Sequence, residues 1–529
     1  MKAKWLVPPW LSLTLLACHA QSPPAGHGLY AIWYGDQFEL LDVPCIVGGQ
    51  IVVQWGDVQP EPGRYDFSAI AQELRKLRAL GKKTTIQING NQKPAWLFSK
   101  VPCYPEKLSI QVRDKQGTLM YWHPVHRDAY TNMLKAFASF LAQCPDRDAL
   151  IGMRLNFDAI GTEHFTVPKE AQNPAKWIVP RGAEPGPLWS QEQVALYEKA
   201  VVDTFVNYLS PHAKILVRNS IRPEVAEPYR SQFRSGKLGW FHTSSEAEPR
   251  SRGLEIQYRR FYDDCRSGKT VGYAEPWASA WGDHGIVDHR WCSPPQWNYW
   301  RLLLDLHCGV SFIALYANDL SVAVTGNYHV KQNRYDEKKD QRGYQQEFEE
   351  AFRFAAKYVG HHASPETSPG AWVAFRENSV ALATNVASPQ NRQLAFFTGD
   401  YNFLMERLPD NSKGAHKVGP ENQRQGAWAR VLPPGQKVAL KLDTRFAASF
   451  KGGKALVTYL DRAADAGSPF QVTANGKQMT LTPKGTGRWQ TAELVLPDGP
   501  FPAEADGAHL KITAGNKPLC LHMVEIVRR

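Results

Sequence analysis

The sequence predicts an α/β chain: a (β/α)8 TIM barrel followed by an all-β sandwich. Three observations carry that expectation. From residue 29 to about residue 358, short apolar runs alternate with longer amphipathic segments, the pattern of repeated βα units around a parallel sheet. A stretch rich in Pro, Ser and His at 361–370 then breaks the alternation. Beyond it, short runs alternate or stay apolar between Gly, Pro, Asn and Asp turns, as strands of a sandwich do. Length agrees, because 529 residues suffice for two or three domains or for one large barrel with an accessory unit.

Eight barrel strands are expected at 29–33, 49–55, 83–89, 150–157, 214–219, 238–243, 270–274 and 310–316. Apolar, β-branched and aromatic residues run through them, which suits strands covered on both faces. Helical periodicity fills the intervals at 70–80, 129–141, 191–209 and 297–307, and an amphipathic helix at 341–358 ends the series. The barrel is therefore placed over 28–362. The sandwich is placed over 370–529, with strands at 371–375, 394–397, 437–442, 455–459, 478–482, 491–496 and 509–512. In a barrel of this kind the site lies where the strands end, because the βα loops converge there.

The first 20 residues read as an export signal. Lys2 and Lys4 precede an apolar stretch at 11–17 that is too short to span a bilayer. Two processing readings stand side by side: cleavage after Ala20, or a lipoprotein box at Leu15-Leu16-Ala17-Cys18 with Cys18 lipidated. The expected location is periplasmic, cell-surface or secreted, with the membrane reached only through an anchor at Cys18. Eight cysteines, at 18, 45, 103, 144, 265, 292, 308 and 520, form no CxxC pair and no His-Cys cluster at ligand spacing. No metal is expected. An oxidising compartment would permit up to three disulfides once Cys18 is set aside.

Hydrophobic residues at 43% and charged residues at 21% match globular usage and exclude disordered or fibrous chains. The surplus is aromatic: 17 Trp, 20 Tyr and 23 Phe offer more flat apolar surface than a core requires, and such rings line sugar-binding clefts. A net charge of +11 suits an anionic partner in principle. Without a helix-turn-helix, zinc finger or RNA-binding signature, no nucleic acid is expected. Phosphate-cradling glycine loops and a Gly-x-Ser-x-Gly elbow are missing too, so no cofactor is expected.

The sharpest local signal is Gln54-Trp55-Gly56-Asp57-Val58-Gln59-Pro60-Glu61-Pro62-Gly63-Arg64-Tyr65-Asp66-Phe67, followed by Ile86-Gln87-Ile88-Asn89 and Pro94-Ala95-Trp96-Leu97. Pro60 and Pro62 stiffen that loop and Gly63 supplies its turn. Over residues 46–98 it resembles the second and third βα units of clan A glycoside hydrolases, especially the family 42 and 35 β-galactosidases. Gln59 stands where that loop usually carries an acid. In the clan, two glutamates work from the ends of strands four and seven, and this chain offers Glu163 and Glu275 at those places. The resemblance implies Glu163 as acid/base and Glu275 as nucleophile, about 5–5.5 Å apart, with retention of configuration. Glycosidic cleavage needs a proton donor for the leaving oxygen and a carboxylate on the opposite face, so two carboxyls must flank one bond. Thr162 replaces the Asn that the clan usually sets before the acid/base, and Asn156 or Asp158 could stand in for it.

Further residues at strand ends are candidates for binding sugar: Trp55, Asn89, Trp96, Asn156, Arg218, Asn219, His242, Trp277, Trp281 and Asn318. Stacking on indoles is weighed against core packing, and His242 against an ordinary satisfied core histidine. Glu246 reads first as helix-capping chemistry. Arg250, Arg252, Arg259, Arg260 and Arg266 would suit a sulfated or uronate-bearing glycan if they reached the cleft, since a guanidinium binds two oxygens at once. Three functions remain open: a hydrolase cleaving β-glycosides, with galactosides foremost by resemblance; a glycan-binding protein without turnover; and a lyase acting on uronate polymers with a Tyr or His base near Arg218.

Overall fold

The structure is a computed structural model that describes residues 26–244, 247, 252–276, 293–325, 344–376 and 399–529. Its first part is a closed parallel barrel. The eight strands are β1 (Gly28–Ile32), β2 (Ile46–Gln54), β3 (Lys83–Asn89), β4 (Leu150–Leu155), β5 (Lys214–Arg218), β6 (Leu238–Ser244), β7 (Gly272–Pro276) and β8 (Phe312–Tyr316). They lie side by side in chain order, and β1 closes on β8 with Gly28 opposite Phe312 and Ile32 opposite Tyr316. Every expected barrel strand is present. Tyr30, Ile32, Leu216, Phe241, Tyr273 and Phe312 fill the interior, so the barrel is a packed core with a mouth and no pore.

The helices follow their sequence signals. Residues Pro124–Gln143 begin with proline in the first turn, where no amide partner is missed, and bury Tyr130, Met133, Leu134, Phe137 and Leu141 at helical spacing. The expected helix at 191–209 starts on a Ser190 cap, but its last turn, Phe205–Leu209, winds as a π-helix. Residues Pro294–His307, here called α1, open on a capping box between Ser293 and Gln296 and are buried on every side. Such all-round burial is expected of a helix packed between two domains.

Beyond the amphipathic helix Gln345–Tyr358 stand two antiparallel sheets, as expected of a sandwich. Strand Trp489–Leu496 alternates buried and exposed positions, the mark of a sheet with one wet face. The long strand Leu519–Arg528 pairs with Gly370–Ala374, Trp428–Leu432 and Gly453–Leu460. Expected strand 394–397 lies outside the described residues, as do Cys18 and Cys292. The six described cysteines are all free thiols, so none of the permitted disulfides joins them. Among the described residues, no helix is long and apolar enough to cross a membrane.

Aromatic rings lock the two parts together. Trp300 of α1 is fully buried, with its ring 5.1 Å from Trp428 and 5.3 Å from His522. The Arg376 guanidinium, from the sandwich, lies 6.0 Å from the Trp300 ring and 4.6 Å from Trp428. Tyr299 Oη and His522 Nε2 are hydrogen-bonded at 3.1 Å, and Glu525 accepts from Lys357 at 2.7 Å. Trp300→Ala is expected to cost about 3–5 kcal/mol. Urea unfolding followed by tryptophan fluorescence and far-UV circular dichroism should show both signals moving together to lower denaturant.

Candidate active site

Glu163 sits on a loop that leaves β4 and doubles back. Asp158 takes a left-handed turn at φ 47°, and its N–H donates to the Thr162 carbonyl at 3.1 Å. The Gln111 amide oxygen then accepts the N–H groups of Thr162 (3.0 Å) and Glu163 (3.2 Å). Gly161 is required there, since a Cβ would lie 2.5 Å from that of Gln111. Beneath the loop, Lys93 Nζ donates to the carbonyls of Gly90 (2.5 Å) and Gly161 (3.1 Å). Burial pushes the Asp158 carboxyl up to about 7 and the Lys93 ammonium down to about 8, each partly offset by the other's charge.

At the barrel axis one guanidinium joins the two glutamates. Arg154, in β4, donates from Nη1 to Glu275 Oε1 at 2.9 Å and also to Gln87, and from Nη2 to Glu163 Oε1. Its plane rests 3.8 Å from the centre of the Phe241 ring. Arg218, the last residue of β5, holds the other oxygen of Glu163. Gln50 of β2 reaches Glu275 Oε1 at 3.4 Å. Glu275 is 1% exposed, and burial raises its pKa while Arg154, first among the opposing influences, lowers it. The two glutamates thus meet on one guanidinium, which fills the space between them, and Glu275 forms a closed floor.

Glu163 borders a cleft of about 360 Å³ between the ends of β4 and β5. Phe165, Trp189 and Phe241 supply its aromatic wall, and Glu198 and Arg222 pair across another side at 2.9 Å. That volume falls within the usual range for small-ligand sites.

The remaining candidates divide. Asn156 lines the cleft, and its Nδ2 donates to Asn89 Oδ1 at 3.0 Å, so both asparagines stand at the mouth. Trp55 is a correction, because it is fully buried with its ring 4.9 Å from Tyr130 and has no face left for a sugar. Its indole donates to the Gln59 side chain at 2.8 Å, while half-buried Trp96 donates to the Gln59 carbonyl at 3.3 Å. Gln59 therefore pins both tryptophans. His242 Nδ1 and Asn219 Oδ1 are 3.1 Å apart, both residues are buried, and burial brings the imidazole down to about 3. They belong to the packed wall. Asn318 is half-buried at the start of helix Ala317–Thr325. Trp277, Trp281, Glu246 and Arg250 lie outside the described residues.

Arg260 donates to the carbonyls of Asn219 and Ile221, and Arg266 to Asn402 at 3.1 Å, so these two brace the fold. Among the described residues, no group of three or more His, Cys, Asp or Glu is placed to hold a metal ion. Sequence reading passed over Arg154, Gln50 and Gln87. Their signal was available: each is a long polar side chain at an inward position of a strand, which a packed barrel tolerates only where partners await it.

No protein-family model matches this sequence, and no curated protein is significantly similar to it. Similar solved structures include a cold-adapted β-galactosidase from Rahnella sp. R3 at 16% identity and TM-score 0.35, covering 56% of this chain and 51% of that one. A GH42 β-galactosidase from G. stearothermophilus is 14% identical at TM-score 0.38, covering 63% and 57%. An exo-β-1,4-mannosidase from Opitutaceae bacterium strain TAV5 is 14% identical at TM-score 0.36, covering 64% and 60%. The chain thus spans about half the length of the Rahnella enzyme. At these scores the likenesses add nothing to the barrel already read from strand pairing.

Lys93→Met should destabilise the protein by about 3–5 kcal/mol at pH 7.5, between the two folded-state values, because Asp158 then loses its cation and must take up a proton to stay buried. At pH 5, below the folded-state value of about 7, a protonated Asp158 needs no partner and the loss should shrink. Urea unfolding of both proteins at the two pH values measures the difference.

Proposed function

We propose that this protein is a glycoside hydrolase that cleaves β-glycosidic bonds with retention of configuration. One observation carries the reading: carboxylates from the β4 loop and from β7 meet on a single guanidinium beside an aromatic-lined cleft at the C-terminal mouth of a TIM barrel.

In this reading Glu163, at the cleft, takes up a proton once the entering sugar displaces Arg154 from it, and passes that proton to the leaving glycosidic oxygen. Glu275 attacks the anomeric carbon, giving a covalent glycosyl-enzyme and a free alcohol. Water then adds to that carbon as Glu163 takes its proton, and Glu275 departs as carboxylate. Arg154 serves first by keeping Glu275 ionised against its burial, and must swing aside as the sugar enters the gap it now fills. Arg154, Arg218 and Arg222 are each already paired with Glu275 or Glu163, Glu163 and Glu198 respectively, which favours a neutral glycan over an anionic one. The family resemblance makes galactosides the first substrates to try. The leader suits an exported enzyme, lipid-anchored if Cys18 is modified.

A second reading is a glycan-binding protein without turnover. The closed position of Glu275 and the guanidinium between the carboxylates favour it. The lyase reading gains nothing, since Arg218 is engaged by Glu163 and His242 is buried.

A panel of β-glycosides, with product anomers followed by NMR, separates the two: net retention upholds the hydrolase, and binding without turnover upholds the alternative. Glu163→Gln is expected to lower kcat about 10²–10⁴-fold, and Glu275→Gln to abolish turnover. In Arg154→Met the Glu275 carboxyl loses the charge that holds its pKa down. Since only the ionised nucleophile reacts, the acidic limb of the kcat/KM profile should move to higher pH.

A further inference from the structure

Resting on the carbohydrate reading above, we propose that Trp33 is a stacking platform for a sugar ring of the substrate, on the rim of the barrel mouth away from the cleft. Trp33 follows β1 directly, at the end of the strand where barrel sites form. The preceding residue, Ile32, pairs in register with Tyr316, whose phenol lies within electrostatic reach of Glu275 and Arg154. Trp33 is thus one residue along from the strand pair that borders the charged centre.

Two features set Trp33 apart. It is 45% exposed, the one exposed tryptophan among the described residues. Its backbone is also left-handed at φ 57°, a conformation that costs a bulky side chain stability and that glycine adopts freely. Gly35, two residues on, occupies the same region at φ 53°. Selection for the turn alone would favour glycine at 33, and selection for packing would bury the ring. The neighbour does pack: Tyr34 is 4% exposed, with its ring 5.9 Å from Phe38. That anchor fixes the turn and holds the indole out on the rim.

The strand order gives the platform its meaning. β1 faces β5 across the barrel, so the Glu163–Arg154–Glu275 cluster lies between Trp33 on one side and the cleft of Trp189 and Arg218 on the other. A glycan lying from cleft to platform passes over both carboxylates. The substrate class is therefore a neutral oligosaccharide with sugar units on both sides of the cleaved bond, the C–H face of one ring resting on the indole.

The test uses the full chain and a series of neutral β-linked oligosaccharides, with kcat and KM measured for the unmutated protein, Trp33→Ala, Trp33→Phe and Trp33→Gly, and thermal unfolding of each. Trp33→Ala should lower kcat/KM about tenfold through KM, and Trp33→Phe should recover most of it. Trp33→Gly should bind as poorly as the alanine variant yet unfold at or above the unmutated protein's temperature, because the turn is relieved. An unchanged KM in Trp33→Ala, on a sugar that the unmutated protein cleaves, overturns the platform and leaves the hydrolase standing. A lower unfolding temperature for Trp33→Gly than for the unmutated protein overturns it as well, by giving the indole a packing role. If the unmutated protein cleaves nothing, the same sugars are titrated against its tryptophan fluorescence. A response lost in Trp33→Ala upholds the platform without the hydrolase, and no response to any sugar overturns both.

Discussion

Everything at the mouth of this barrel depends on Arg154. A guanidinium at the axis must be matched by carboxylates, because the desolvation cost of an unpaired buried charge exceeds what packing around it returns. Glu275 and Glu163 supply the match, and Arg218 balances the second carboxylate from the rim. Gln50 adds a hydrogen bond to Glu275, and Gln87 accepts one from Arg154. Apolar side chains of similar volume would fill that layer at less cost. Retaining four charged groups there is a signature of function more than of stability.

The barrel was legible because its strands are buried on both faces and read as apolar runs at regular intervals. The sandwich was less so. Strand Leu519–Arg528 went unnoticed although it joins three neighbours, because His522, Glu525 and Arg528 interrupt its apolar pattern. Two of those polar residues are the ones that meet the barrel, with His522 against Tyr299 and Glu525 against Lys357. Local patterning sees a strand's own alternation and cannot see a polar side chain satisfied by another domain.

The site was legible in its carboxylates and opaque in its walls. Glu163 and Glu275 could be nominated because the clan resemblance points to the ends of strands four and seven, and the parallel barrel puts both of those ends at one mouth. Trp55 was misjudged for a reason internal to the pattern: its place at the end of β2 suggested a rim position, but the short helix Trp55–Val58 turns the indole inward against Tyr130. Trp189 and Phe165, which do line the cleft, come from the long β4–β5 connection, where no periodicity marks them.

The late position of Glu163 becomes intelligible from the loop beneath it. A carboxylate carried directly on the last residue of β4 would stand close to Arg154 and be sealed with it, as Glu275 is. The detour through Asp158 and Gly161 instead brings Glu163 back over the guanidinium from above, with one oxygen toward the axis and the other toward Arg218 at the cleft. One glutamate is thereby buried and one reachable on the same cation. Under the proposed hydrolase reading, an acid/base must meet both a leaving group and water whereas a nucleophile needs only the anomeric carbon, and this division of exposure would suit that division of labour. The buried Lys93 and Asp158 are what the chain spends to hold the detour in place, since without Lys93 the Gly161 carbonyl would lose its buried donor.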